Sequence, residues 1–218
     1  MKTSAILRLI AAALALPLLL TACGEAPDPR VEEAETVVAP PATVDLIQIR
    51  DASNEVTAVF KLETRPLIIL RGAERQVFVR RQTKKDIRWF ERGGEALLLV
   101  EKTETGFRLR RPSSEVAWRL SLNKRRITGF RGSEKEPAFV LRTRKQMVRV
   151  ASPPNQTIGR ATINKSGGTQ IVNAAGELVF RSPKAPSVAM FGPLLIPVID
   201  PLERHVLMAE ILLRHGTK

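Results

Sequence analysis

Between residues 44 and 181, short apolar segments alternate with turn residues, and polar and apolar positions alternate within the segments. In 107–110, for example, Phe and Leu take turns with two Arg residues. A period of two places successive side chains on opposite faces of a strand, one buried and one in solvent. The pattern predicts strands at 44–50, 56–63, 67–71, 76–82, 87–91, 96–102, 107–110, 115–122, 127–131, 138–143, 147–151, 157–164, 169–173 and 177–181.

The turns between these segments contain residues that tolerate a positive φ. Gly93-Gly94, Gly167-Gly168 and Ala175-Gly176 are examples. Strands separated by such short turns, at roughly ten-residue spacing, are typical of an antiparallel meander. We therefore expect a mainly β domain folded as a barrel or a sandwich.

The C-terminal residues predict one helix, over 200–215. Asp200 is a good N-cap, Pro201 suits the first helical position, and Glu203 completes a capping box. Gly216 is placed to cap the C-terminus.

Apolar residues cover almost the whole circumference of this helix. Within 206–213 only Glu210 is charged. A helix of this kind is enclosed on most sides, and it is too short to span a bilayer, which takes about 20 residues. We expect the preceding sheet to enclose it.

Many antiparallel strands followed by one apolar helix resemble the tubby C-terminal-like superfamily, which includes phospholipid scramblases and LURP-one-related proteins. The local match is the segment 195–203 leading into 206–213. The resemblance implies an antiparallel barrel of about twelve strands around the C-terminal helix. It does not extend to calcium binding or scrambling, because 187–192 holds no acid.

The N-terminus is similar to the signal peptides of bacterial lipoproteins. Lys2 and Arg8 precede an apolar run of 12 residues, 9–20, and Leu20-Thr21-Ala22-Cys23 resembles a lipobox. The resemblance implies removal of residues 1–22 and lipidation of Cys23, which includes a palmitate-type acyl chain. Cys23 is the single cysteine, so no intramolecular disulfide can form.

Residues 23–43 then form a lipidated cysteine and a linker that is acidic and rich in Pro, which predicts disorder. The basic domain covers 44–218. Gly24, in place of an Asp after the cysteine, favours the outer membrane, with the domain facing the periplasm of the cell envelope.

Charge is unevenly divided along the chain. The whole sequence has 35 Lys and Arg and 22 Asp and Glu. Residues 1–43 hold three of the bases and five of the acids, which leaves 32 bases, 17 acids and a net charge of +15 in 44–218. Such a field attracts anions. A periplasmic address disfavours nucleic acid and favours anionic lipid or an envelope polymer, whereas a basic surface without a specific ligand remains the alternative.

Three basic clusters are the candidate anion-binding residues, and each lies at a predicted turn. Arginine offers bidentate hydrogen bonds to phosphate, so clusters that share one barrel end would form a binding surface. The candidates are Arg80, Arg81, Lys84, Lys85, Lys124, Arg125, Arg126, Arg142, Arg144 and Lys145.

The sequence contains little that indicates a catalytic site. The two histidines, His205 and His215, are ten positions apart on one helix, about 15 Å along its axis, which is too far for a shared metal. No nucleophile, zinc or nucleotide motif occurs. Trp89 and Trp118, with neighbouring arginines, are more simply core aromatics than a nucleic-acid platform.

The residues therefore favour a membrane-anchored lipoprotein that is not an enzyme and needs no cofactor or metal. It would act as a binding or scaffold module for anionic envelope components or an unknown partner protein. The alternative is a lipid-handling protein that contacts acyl chains through the barrel or its central helix.

Overall fold

A closed barrel of antiparallel strands and a C-terminal helix make up the computed structural model, which describes residues 46–62, 65–84 and 86–215. The predicted signal peptide 1–22, Cys23, the linker 23–43, Lys85 and Gly216 lie outside the described residues. The strands are β1 (Leu46–Asp51), β2 (Val56–Lys61), β3 (Leu67–Arg71), β4 (Arg75–Gln82), β5 (Ile87–Glu91), β6 (Ala96–Lys102), β7 (Gly106–Arg110), β8 (Val116–Asn123), β9 (Arg126–Arg131), β10 (Phe139–Arg144), β11 (Met147–Ser152), β12 (Gln156–Ile163), β13 (Thr169–Asn173) and β14 (Leu178–Ser182).

Each strand pairs with the next along the chain, and β1 closes the barrel by pairing with β14. That closing contact is short: Arg50 lies opposite Arg181, and Asp51 lies opposite Phe180. The barrel has 14 strands, so the number of about twelve taken from the tubby-like resemblance is wrong. The number of strands is larger because each of the alternating segments in the sequence forms a strand of the hydrogen-bonded barrel.

The alternation of the strands determines which side chains face inward. On β7, Phe107 and Leu109 are fully buried, whereas Arg108 between them is exposed. A barrel of this many strands encloses more space than side chains from the wall alone can fill. The chain after β14 fills that space.

Two C-terminal segments occupy the interior. The first, Val188–Leu195, is a 3₁₀ helix that packs against β10 to β13. The second, α1 (Pro201–His215), packs against the first and reaches the other side of the barrel through its side chains. His205 lies beside the ring of Phe60 on β2, and Arg214 lies over the ring of Phe107.

The middle of helix α1 is covered all round. The seven successive residues from Val206 to Leu212 are each at most 7% exposed. Seven residues make almost two helical turns and point in every direction around the axis. The predicted enclosure of this helix is therefore confirmed.

Close packing leaves no room for added atoms at two inward-facing glycines. A Cβ on Gly192 would lie 2.6 Å from Cδ1 of Leu141. A Cβ on Gly129 would lie 2.1 Å from Cζ of Phe139. At Gly192 the 3₁₀ helix is in contact with the barrel wall, and at Gly129 two neighbouring strands are in contact, so the interior is closely packed at both positions.

The two ends of the barrel are defined by the turns. Because each strand runs antiparallel to the next, all turns that follow even-numbered strands lie at one end, and all turns that follow odd-numbered strands lie at the other. We call the first the basic end and the second the acidic end, for the charges described below. β1 begins at the basic end, so Leu46, the first described residue, lies there.

Candidate anion-binding surface

The three basic clusters found in the sequence lie at one end of the barrel. They occupy the turns after β4, β8 and β10, all even-numbered strands. Lys84, Lys124, Arg125 and Lys145 are exposed in these turns. Whether the three clusters share an end could not be predicted from the sequence, and the meander topology places all three at the same end of the barrel.

Taken together, the described turns of the basic end contain more bases than acids. The two acids there are Asp86 and Glu104, and Asp86 forms an ion pair with Arg88, Nη2 to Oδ2 2.7 Å. Hydrogen bonds from Thr83 and Arg88 hold the pKa of Asp86 below its usual value, so it stays ionised. The exposed bases in these turns are Arg65, Lys84, Lys124, Arg125, Lys145, Lys165 and Lys184.

The acidic end has the opposite balance. Its described turns contain three bases, Arg92, Arg111 and Lys135. The acids in the turns between its strands are Glu55, Glu74, Glu95, Glu115, Glu134, Glu136 and Glu177. The charge of the turns is therefore unequal along the barrel axis, and an anionic surface is attracted more strongly to the basic end than to the acidic end.

The predicted residues on the strands lie on the outer wall next to the basic end. Arg126, Arg142 and Arg144 are exposed, and Arg126 lies directly opposite Arg142. Arg81 is also exposed, and its guanidinium lies 4.7 Å from the centre of the Phe90 ring.

Arg80 points the other way, into the barrel. It shares the inward face of β4 with Phe78, and its Nε donates a hydrogen bond to Oε1 of Glu210 at 2.8 Å. Its side chain is 11% exposed. The structure thus separates Arg80 from the other candidate bases and uses it to hold α1.

Glu210 is a fully buried carboxylate inside the barrel. Its Oε1 accepts hydrogen bonds from Arg80 and from Nε1 of Trp89, the latter at 3.0 Å, and its Oε2 accepts from Nε of Arg214 at 3.1 Å. Two guanidinium groups and an indole N–H therefore offset the cost of burying this charge.

Glu203 repeats the arrangement two helical turns earlier, near the acidic end. Its Oε1 accepts from Nε of Arg111 at 2.8 Å, and its Oε2 accepts from Nε1 of Trp118 at 2.9 Å. The pKa of Arg111 is raised, chiefly by the hydrogen bond to Glu203. The predicted capping box is wrong, because the Glu203 carboxylate points away from the helix N-terminus and binds Arg111 and Trp118 of the barrel. The predicted N-cap is confirmed, because Oδ1 of Asp200 accepts a hydrogen bond from the backbone N–H of Leu202 at 2.9 Å.

The burial of Glu203 and Glu210 and their hydrogen bonds from tryptophan and arginine were not predicted from the sequence, although the sequence contains two indications of them. Glu203 and Glu210 are seven residues apart, so they lie on one face of the helix. The chain has two tryptophans, and a buried indole N–H needs an acceptor. Both tryptophans are core residues as predicted, at 0% and 2% exposure.

The histidines occupy opposite ends of α1. Burial lowers the pKa of His205 to about 4, and its Nδ1 lies 2.5 Å from the carbonyl oxygen of Pro201. His215 lies at the last turn, with Nε2 2.9 Å from the carbonyl oxygen of Asn123. Within the described residues, no cluster of three or more His, Cys, Asp or Glu side chains is arranged to hold a metal ion.

None of the helices in the described part of the chain is long and apolar enough to cross a membrane. Comparison of the chain with protein-family models, with curated proteins and with solved structures found no match.

Proposed function

We propose that this chain is a membrane-anchored lipoprotein whose barrel is a non-catalytic module that binds anionic components of the cell envelope through its basic end. The observation that carries the proposal is the unequal charge of the two ends. Seven exposed bases and two acids lie in the described turns of one end, against three bases and seven acids in the strand-connecting turns of the other. A uniformly basic surface kept soluble by charge does not require this separation.

The chain enters the barrel at the basic end, because Leu46, the first described residue, lies there. A lipid anchor at Cys23 would be joined to that end through residues 24–45. The outer membrane, with the domain in the periplasm, is the location that Gly24 favours, and kinship with the tubby-like superfamily belongs to the same proposal.

Vesicle binding tests the proposed surface. The chain from residue 23 onward, with Cys23→Ser, is mixed with vesicles of neutral phospholipid, with or without an anionic phospholipid, and sedimented. We expect binding to the anionic vesicles, and a marked loss of binding between low salt and 0.5 M salt, because screening shortens the reach of exposed charges.

Matched charge variants locate the surface. Lys124→Gln/Arg125→Gln/Lys145→Gln removes three charges from the basic end and should weaken vesicle binding about a hundredfold. Arg71→Gln/Arg75→Gln/Arg92→Gln removes three exposed charges at or near the acidic end and should have little effect. Equal losses in both variants, or equal binding to neutral vesicles, would refute the proposed surface.

The anchor has a separate test. In growing bacteria that express the chain, labelled palmitate should be incorporated into the wild-type protein and lost with Cys23→Ser. Labelling that persists in the variant would contradict lipidation at this residue without bearing on the anion surface.

A further inference from the structure

Four arginines on the outer wall form one row across four neighbouring strands, and we call them the arginine row. They are Arg126 on β9, Arg142 on β10, Arg149 on β11 and Arg160 on β12. Arg142 lies directly opposite both Arg126 and Arg149, and Arg149 lies directly opposite Arg160. With about 4.8 Å between strands, the row is about 14 Å long.

All four side chains face solvent because their neighbours along each strand face the core. Ile127, Leu141, Val148 and Ala161, each next to one member of the row, are fully buried. The row is therefore fixed by the same period-two pattern that builds the barrel, and all four of its side chains are exposed.

In the part of the chain that the structure describes, no acidic side chain forms an ion pair with this part of the wall. Between residues 137 and 176 the sequence contains six bases and neither Asp nor Glu. None of the ion pairs among the described residues includes a member of the row. Like charges directly opposite one another destabilise a sheet, so the row costs the fold stability.

Cross-strand arginine pairs elsewhere on the barrel cover only two strands, such as Arg50 opposite Arg181 and Arg71 opposite Arg75, and some have acidic neighbours. Arg81 lies opposite Arg88, but Arg88 forms its ion pair with Asp86. Arg108 lies opposite Glu101 on the adjoining strand. The continuous run of four arginines across four adjacent strands thus distinguishes the arginine row from the rest of the basic wall.

Neutral groups orient two of the four guanidiniums without cancelling their charge. Nη2 of Arg142 donates to Oδ1 of Asn155 at 3.1 Å, and Nε of Arg149 donates to Oγ1 of Thr157 at 2.9 Å. A guanidinium has five N–H donors, so each keeps donors for a bidentate bond to an oxyanion. The row offers a line of such donors at the spacing of the strands.

We propose that the arginine row binds a linear polyanion, a polymer whose phosphate-type groups repeat every few ångströms and which lies across β9 to β12. The proposal deepens the proposed function, on which it rests, by giving the anionic component a polymeric form and a site on the wall. A single phosphate would engage one or two arginines, whereas a polymer engages the whole row.

The probe is linear polyphosphate with a fluorescent label at one end, and binding to the full chain carrying Cys23→Ser is followed by anisotropy. Orthophosphate at the same phosphorus concentration should compete poorly. Arg142→Gln/Arg149→Gln/Arg160→Gln should raise Kd about tenfold or more, since each exposed charge pair contributes a few-fold. The control, Arg71→Gln/Arg75→Gln/Arg92→Gln, carries the same change in net charge and should raise Kd less than about threefold.

Two further measurements separate a binding role from a structural one. The row variant should unfold at the same temperature as the wild type or higher, because repulsion between opposite arginines has been removed. A lower unfolding temperature would mean that the row serves the fold and would overturn the proposal. Replacement of the same three residues by Lys keeps the positive charge but removes the bidentate hydrogen bonds of the guanidinium, and should restore only part of the affinity.

Failure of this proposal is distinct from failure of the proposed function. Equal loss of polyphosphate binding in the row and control variants, or none in the row variant, overturns the arginine row as a site. Anionic-vesicle binding that still depends on the turns of the basic end would leave the proposed function intact in that case.

Discussion

Removal of the Glu210 carboxylate should destabilise the barrel more than any single surface change. Glu210→Ala deletes a side chain that is 0% exposed and that accepts hydrogen bonds from Arg80, Trp89 and Arg214. The two guanidiniums, 11% and 17% exposed, then lose their buried counter-charge.

The expected loss follows from the groups left behind. Removal of one partner of a buried ion pair costs about 3–5 kcal/mol, because the remaining charge stays desolvated. The indole N–H of Trp89 also loses its acceptor, and that cost overlaps with the first. The greater helix propensity of Ala recovers only about a few tenths of a kcal/mol. We therefore expect the free energy of unfolding to fall by about 3–5 kcal/mol.

Urea denaturation followed by tryptophan fluorescence measures this loss directly. Trp89 and Trp118 are the only two tryptophans, and each donates to one of the two buried glutamates, so the signal reports on the barrel interior. Glu74→Ala, which removes an exposed acid at the acidic end, should change the stability by less than about 0.5 kcal/mol.

A double-mutant cycle isolates the ion pair itself. Arg80→Met should cost less in the Glu210→Ala background than in the wild type, with a coupling energy of about 1–3 kcal/mol. A free energy of unfolding for Glu210→Ala within about 1 kcal/mol of the wild-type value, with an unchanged m-value, would contradict a stabilising role for the buried carboxylate, and so would a cycle without coupling.

Three further predictions concern the interior and its rim. Gly192→Ala places a Cβ 2.6 Å from Leu141 and should cost about 1–3 kcal/mol in urea unfolding, whereas Gly72→Ala, with nothing within 4 Å, should be nearly neutral; equal effects would contradict the packing. Trp118→Phe leaves Oε2 of Glu203 without its indole donor and should cost about 1–3 kcal/mol by the same assay, and no loss would show that water replaces the donor. For His205, the unfolded chain takes up a proton near pH 6.5 but the folded protein only near pH 4. The unfolded state therefore binds more protons in that window, so stability falls as the pH is lowered through it. In urea denaturation, the free energy of unfolding should fall less between pH 7 and pH 4.5 for His205→Gln than for the wild type. An equal fall in the two proteins would refute this prediction.

Much of the barrel could be predicted from the sequence because period-two alternation depends only on neighbouring residues. Phe107 and Leu109 are buried and Arg108 is exposed, as the pattern required. The number of strands also follows from the segments themselves, whereas the family resemblance gave too few. The 3₁₀ helix at Val188–Leu195 was not predicted, since Gly192 and Pro193 interrupt any regular helical pattern.

The candidate site was harder to predict because it depends on contacts between distant residues. The basic turns were found in the sequence, but their common end follows only from the pairing of every strand with its neighbour. Likewise, Glu203 satisfied a local rule for helix capping, yet Trp118 and Arg111, 85 and 92 positions away, attract its carboxylate inward. Registers such as Arg142 opposite Arg149 likewise come from the pairing.

The proposed binding surfaces depend most on the enclosure of α1, because a filled interior leaves the outer wall and the two ends of the barrel as the places where a ligand can bind. Cysteine labelling tests this directly, since Cys23→Ser removes the only cysteine. In that background Met208→Cys, at a position with 0% exposure, should react with a maleimide at the rate of global unfolding. Val198→Cys, at 62% exposure, should react as fast as a free thiol. Equally rapid labelling at both positions under native conditions would contradict the enclosed helix.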